Sequence, residues 1–194
     1  MRRIGAVLAV ATWLGLVGFA FRPLLAYQSR PGIECAVVER WPTHAKLAQT
    51  AGRPTLVMFI HPQCPCSSAS LDQLQRISTR VGSEFRALVV VEQPASMTAA
   101  FAESANARHA AGIKGVTTVI DNAQTEAKLF GATTSGDTFV YDSHGALVFH
   151  GGITPGRGHE GDCAGFDTVC SLLRGHINSP ARPTPSFGCA LFNH

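Results

Sequence analysis

Apolar and polar residues alternate along this chain with three different periods, and each period predicts a different element. The first apolar block is unbroken: Arg2 and Arg3 precede 18 uncharged, mostly apolar residues, Ile4 to Phe21, and Arg22-Pro23 closes it. A helix of that length, at about 1.5 Å per residue, nearly spans the hydrocarbon core of a bilayer. The second block, Thr55 to Ile60, is short and nearly continuous, the pattern of a strand buried on both faces. Ser67 to Val81 then has helical spacing, with Leu71, Leu74, Ile77 and Val81 on one face and Gly82 as its stop. Ala87 to Val91 is a second buried strand, so these three elements form a βαβ unit with an expected right-handed crossover.

Beyond that unit, Ala95 to Gly112 is expected to be helical and exposed, and Val116 to Ile120 to be a β-branched strand. A helix follows from about Gln124 to Phe130. Thr138–Tyr141 and Ala146–Phe149 flank Asp142-Ser143-His144-Gly145 and predict an antiparallel hairpin. Gly151 to Gly165 holds six glycines without a hydrophobic period and reads as a loop; Phe166 to Ile177 returns to helical spacing. Upstream, Arg30-Pro31-Gly32 is a turn, Trp41-Pro42 a break, and His44 to Thr50 a short helix ending near Gly52. Ser179 to His194 carries three prolines and is expected to be a mobile tail. The sum is an α/β architecture, a central mixed sheet flanked by helices, behind an N-terminal transmembrane helix.

Composition narrows the function classes. The 194 residues suffice for one ordinary domain, and 45% hydrophobic content supports a core without disulfides. The formal charge is +3, of which Arg2 and Arg3 supply most. That is no electrostatic footprint for nucleic acid. The Gly-rich loop lacks the G-K-[ST] ending of a phosphate loop, so no nucleotide is expected either. The arginines ahead of the apolar run favour a cytoplasmic N-terminus, against Arg22 and Arg30 on its far side. The run reads either as an uncleaved signal anchor or as a signal peptide cut after Ala20. Both place the remaining chain outside the cytoplasm, where the six cysteines, Cys35, Cys64, Cys66, Cys163, Cys170 and Cys189, meet an environment that tolerates disulfides.

The candidate chemistry lies in His61-Pro-Gln-Cys-Pro-Cys-Ser67, between the first buried strand and the first amphipathic helix. A helix N-terminus offers unpaired N–H groups and partial positive charge, which favour thiolate over thiol. Cys64 and Cys66 therefore read as reactive sulfurs, with Pro65 rigidifying the turn. A Cys-x-Cys disulfide closes a small ring, is strained, and is readily attacked. The alternative use of two soft thiolates is Cu(I) binding, with His61 as the third ligand. In the redox reading no cofactor is needed, and His61 at most tunes the thiols. Neither cysteine has the threonine or serine three residues upstream that a peroxidase site carries. His159-Glu-Gly-Asp-Cys163 reads as a polar surface loop, Met58 as core, and Cys170 as a core residue of the last helix.

On these residues the chain resembles thioredoxin-like proteins. More narrowly, it resembles the membrane-anchored bacterial proteins called RedB, relatives of the TlpA-type periplasmic thiol–disulfide oxidoreductases. The matching segments are Arg53–Leu71, Asp137–Gly145, Gly151–Asp162 and Thr184–Leu191. The resemblance implies a periplasmic domain held at the bacterial inner membrane and acting on protein thiols or disulfides. It divides the chain into an anchor or signal peptide (1–22), a linker and N-terminal extension (23–53), a thioredoxin-like domain (54–178) and a C-terminal tail (179–194). Cys64 matches the exposed nucleophile of thioredoxins. Two departures stand out. Ser67 occupies the place of the second cysteine in C-x-x-C, and Ser135-Gly136 stands where thioredoxins carry a cis-proline. Cys35, Cys163, Cys170 and Cys189 read as structural bridges; alternatively, with Ser67 unable to resolve a mixed disulfide, Cys189 on the tail becomes the candidate resolving thiol.

Overall fold

The computed structural model describes residues 2–34, 38–50, 52–176 and 180–192. Cys35 and Ile177 fall outside the described residues. The chain separates into two units, Met1–Arg30 and Pro31–His194.

The first unit is one helix, α1, Arg2–Gln28. It is long and apolar enough to cross a membrane, and none of its span is buried within the protein. Apolar side chains such as Ile4, Leu8, Trp13 and Leu16 project all around it, so the helix has no polar face. The helix continues through Arg22 and Pro23, where the sequence reading ended it. Proline removes one intrahelical hydrogen bond, and Leu24, Leu25 and Ala26 behind it are good helix formers.

In the second unit a five-stranded sheet has the order β3-β2-β1-β4-β5. Its strands are β1 (Thr55–Ile60), β2 (Arg86–Gln93), β3 (Val116–Asn122), β4 (Thr138–Tyr141) and β5 (Leu147–Gly151). β1, β2 and β3 run parallel, while β4 is antiparallel to β1 and β5 to β4. β1 is central and wholly buried, as its unbroken apolar run requires. Its successive side chains point to opposite faces. Leu56, Met58 and Ile60 join one core with Leu71, Leu74 and Ile77 of α2 (Ser67–Val81) and with Phe166 and Val169 of the last helix, Ala164–Leu173. Val57 and Phe59 join the other with Phe130, Phe139 and Tyr141.

Three sequence expectations change. The helix expected over Ala95–Gly112 is two, α3 (Ala99–Ala102) and α4 (Ala105–Gly112). Ser104 separates them because its hydroxyl accepts the Ala107 N–H at 3.1 Å and caps α4. His44–Thr50 forms turns and bends instead of a helix. Seven residues nucleate a helix poorly, and the Lys46 N–H is taken by the Glu126 carboxylate at 3.0 Å. Glu126 lies on α5 (Thr125–Phe130). The final helix, α6, spans Ala164–Leu173 and ends short of the expected Ile177: Arg174–His176 form a turn and a bend, with the Gly175 N–H donating to Leu172 O at 2.9 Å.

Residues 180–192 are also not loose. The Ala181 N–H donates to Val148 O at 2.8 Å, and Leu191 is fully buried in the Phe59–Phe130 core. The same segment reaches the end of the sheet where β1 delivers the cysteines.

Candidate functional site

β1 ends at Ile60, and the chain turns through His61-Pro62-Gln63-Cys64-Pro65-Cys66 before α2 begins. Two backbone bonds shape the turn: the Cys64 N–H donates to His61 O at 3.2 Å, and the Ser67 N–H to Cys64 O at 3.1 Å. Asn106 on α4 fastens it from outside, with its amide nitrogen 3.0 Å from Pro62 O and 2.9 Å from Cys64 O. Ser135 fastens it from the sheet. Its hydroxyl accepts the His61 N–H at 2.9 Å and shares a 2.6 Å hydrogen bond with the Ser67 hydroxyl. Gly136 beside it has φ +97°, a conformation that favours glycine, and a Cβ there would lie 2.9 Å from Ser70 Oγ. Among the described residues every peptide bond is trans. Ser135-Gly136 thus faces the cysteine turn, but through a serine hydroxyl.

Cys64 is only 1% exposed, so the expectation of an exposed nucleophile is corrected. The residues that enclose it come from the C-terminal segment. Ser135 N–H donates to Cys189 O at 2.8 Å, and Leu191 N–H to Thr133 O at 2.9 Å, forming a short antiparallel bridge of Thr134 with Ala190. That bridge aims the Cys189 N–H at Cys64 Sγ, 3.4 Å away, and brings the Cys189 thiol into hydrogen-bond contact with the same sulfur. Cys66, at the N-cap of α2, also contacts Cys64.

Three thiols therefore share one site, and the surroundings pull them apart in acidity. Burial pushes the Cys64 thiol up, but hydrogen bonds from the Cys189 thiol, the Cys189 N–H, the Ser67 hydroxyl and the Cys66 N–H more than offset it, and the net shift is downward. Burial pushes Cys66 up, and the neighbouring Cys64 adds to the shift, while Arg157 opposes it. Cys189 is pushed up to about 12 by burial, by donating to Cys64 and by the charge of its neighbours. The helix-start argument accounts for part of this: the Cys66 N–H bonds the sulfur, but the larger donors belong to Cys189, far along the chain.

His61 is committed elsewhere. Its Nε2 lies 3.3 Å from the Glu92 carboxylate, which is 2% exposed, and its Nδ1 accepts the Gln63 N–H at 3.0 Å. Gln124 donates to the other Glu92 oxygen at 2.8 Å and to Leu191 O at 2.6 Å. Among the described residues no group of three His, Cys, Asp or Glu side chains converges as a metal ion requires, so the copper set of Cys64, Cys66 and His61 is not assembled. The Gly-rich loop is tied to α2 by Gln73, which donates to Ile153 O at 3.0 Å, and by an Arg76–Asp162 ion pair at 2.7 Å. It places the Arg157 guanidinium 2.5 Å from Gly188 O and beside Cys66. Cys64, Cys66, Cys163, Cys170 and Cys189 are all free thiols, and Cys170 lies buried on the core face of α6.

A central strand running into a helix through a cysteine turn, at one end of a sheet with this order and these directions, decides the architecture. The fold is thioredoxin-like. A hypothetical protein from Sinorhizobium meliloti matches it with TM-score 0.60 at 24% sequence identity, over 84% of this chain and 93% of that one. An uncharacterized conserved protein from Geobacillus kaustophilus matches with TM-score 0.58 at 18% identity, over 84% and 89%. MTB dsbF, in its mixed oxidized and reduced forms, matches with TM-score 0.47 at 16% identity, over 66% and 83%. No family model and no curated protein matches the chain.

Sequence reasoning missed Asn106, Arg157, Glu92 and Gln124. Asn106 carried a faint signal, a lone amide in an alanine-rich helix. Arg157 was the one cation inside a glycine-rich loop, but nothing local says which sulfur it will meet.

Proposed function

We propose that this chain is a thiol–disulfide oxidoreductase that works outside the cytoplasm through its Cys-Pro-Cys motif, with Cys64 as the nucleophile. The supporting observation is the convergence of donors on the Cys64 sulfur, which leaves it the acidic member of three neighbouring thiols. A thiolate attacks a disulfide sulfur, and the thiolate fraction sets the rate. Pro65 and Ser67 hold the turn, and Ser135 and Gly136 form the wall opposite. Protein thiols or disulfides are the substrates. The apolar helix α1, with Arg2 and Arg3 ahead of it, anchors a RedB-like domain at a bacterial inner membrane, N-terminus cytoplasmic and domain periplasmic.

The test is exchange with a disulfide-linked peptide, followed by thiol release, for the wild type and Cys64→Ala. Loss of exchange in Cys64→Ala alone supports the reading; full activity in that variant overturns it. For topology, a reporter fused after residue 30 should be active only outside the cytoplasm, and activity confined to the cytoplasm refutes export.

A further inference from the structure

We propose that Cys189 is the internal disulfide partner of Cys64, and that the C-terminal segment carrying it occupies the place from which a substrate cysteine attacks. This rests on the exchange reading above. Three observations converge on it. The backbone of residues 189–191 pairs with Thr133–Ser135 as a short added strand. Residues 133–135 lead directly into β4, next to the strand that delivers the motif, so an extended peptide approaching Cys64 there meets the same N–H and carbonyl groups. The paired segment then directs both the N–H and the thiol of Cys189 at Cys64 Sγ.

Cys66 is placed differently. It is the N-cap of α2 with helical dihedrals, φ −73° and ψ −20°, and its thiol also contacts Cys64, so the difference lies in what a bond would do to the backbone. The Ser67 N–H to Cys64 O bond closes the turn between the two cysteines, while Arg157 acts on both Cys66 and Cys189. Joining Cys64 to Cys66 strains that turn. Joining Cys64 to Cys189 links two segments already held together by backbone hydrogen bonds.

The exchange balances. The Cys64 thiolate attacks a protein disulfide R–S–S–R′, forming Cys64–S–S–R and expelling R′S⁻. The proton that the Cys189 thiol shared with Cys64 goes to R′S⁻. The Cys189 thiolate then attacks Cys64 Sγ, forming the Cys64–Cys189 disulfide and releasing RS⁻. Two electrons pass from the thiol pair to the substrate, and the negative charge of Cys64 leaves on RS⁻. Run backwards, the same steps oxidise a protein dithiol.

The experiment uses the full chain, reduced and in detergent, treated with a disulfide-linked peptide dimer. Samples are quenched with acid, capped with N-ethylmaleimide, digested without reduction and analysed by mass spectrometry. Wild type and Cys66→Ala should give a bridge between the Cys64 and Cys189 peptides. Cys189→Ala and Cys189→Ser should instead accumulate the peptide adduct on Cys64, longer-lived than in Cys66→Ala by on the order of 100-fold, because a tethered thiol acts at millimolar effective concentration. The serine variant keeps the size of the side chain, and hydrogen exchange at the Ser135 amide checks that the segment stays in place. A Cys64–Cys66 bridge in the wild type, with the adduct resolving normally in both Cys189 variants, overturns the assignment and leaves the exchange reading intact. No adduct and no bridge at Cys64 in any variant overturns both.

Discussion

Replacing Gly188 with alanine should pry the C-terminal segment off the cysteine turn. A Cβ at Gly188 would lie 2.0 Å from Ser135 O and 2.9 Å from Ser135 C. Both atoms are backbone, so relief requires the two segments to separate by about an ångström or more, past the reach of a normal hydrogen bond. The bonds at stake are Ser135 N–H to Cys189 O at 2.8 Å and Leu191 N–H to Thr133 O at 2.9 Å. At about 0.5–1.5 kcal/mol each they sum to about 1–3 kcal/mol. Partial withdrawal of the buried Leu191 adds to the cost, up to about 1.5–3 kcal/mol if complete. The stiffer unfolded chain of an alanine returns about 0.4–1 kcal/mol. The expected net loss is about 2–4 kcal/mol, localised to residues 186–192. At 1.4 kcal/mol per factor of ten, amide exchange at Ser135 and Leu191 should speed up by roughly 30- to 1,000-fold, with the amides of β1 and β2 far less affected. Protection at those two amides within a factor of three of wild type would refute the reasoning, because the clash would then have been absorbed without loss of the bridge.

Alkylation of the reduced protein across pH should modify Cys64 with a midpoint below the ordinary thiol value of 9.0, Cys66 above it and Cys189 only near 12; Cys189→Ala should move the Cys64 midpoint upward, and no movement would show that Cys189 does not set it. Asp137 is buried and its carboxyl is pushed above its ordinary 3.8, despite hydrogen bonds from Ser186 and the Thr133 and Thr134 N–H groups. A raised folded value means the folded state holds the proton longer, so stability from this group is present below 3.8 and is lost as pH rises through the raised value. Denaturant titrations should therefore show the wild type losing stability in that window relative to Asp137→Asn, and parallel pH curves would contradict the shift. His61→Ala should lower the unfolding free energy by about 1–3 kcal/mol, because the buried Glu92 loses a partner, while disulfide exchange slows by less than about 10-fold, since the imidazole is held by Glu92 and Gln63; a rate loss beyond about 100-fold would assign His61 a direct part in the chemistry.

The sheet was legible because its signals are local. Thr55–Ile60 is too apolar for an exposed strand, and the faces of Ser67–Val81 and Ala164–Leu173 match the helical period. The cysteine turn was legible for the same reason, being one contiguous motif between two strong elements. What failed depended on partners distant in sequence. His44–Thr50 lost its helix to Glu126, 80 residues on from Lys46. The prolines of 180–187 suggested a loose tail, yet Phe187 and Leu191 bury there, and nothing in their immediate neighbours says that Thr133–Ser135 is waiting to pair with them. Cys64 was expected to be open to solvent because it matches the exposed nucleophile that the thioredoxin resemblance implies; its cover is supplied 125 residues away.

That cover bears on which oxidants the protein admits. The acidic sulfur is enclosed, and Cys189, the more open one, holds its proton to about pH 12. A small oxidant such as a peroxide reacts with thiolate, not thiol, and the thiolate it would find at this site is covered. Attack must wait for residues 186–192 to lift, and each 1.4 kcal/mol holding them down makes that tenfold rarer. A partner that supplies its own extended strand can compete for the Thr133–Ser135 backbone and lower the cost of opening as it docks. On the exchange reading proposed above, selectivity comes from time spent shut rather than from the shape of a pocket, and chemically similar oxidants are sorted by whether they bring a backbone with them.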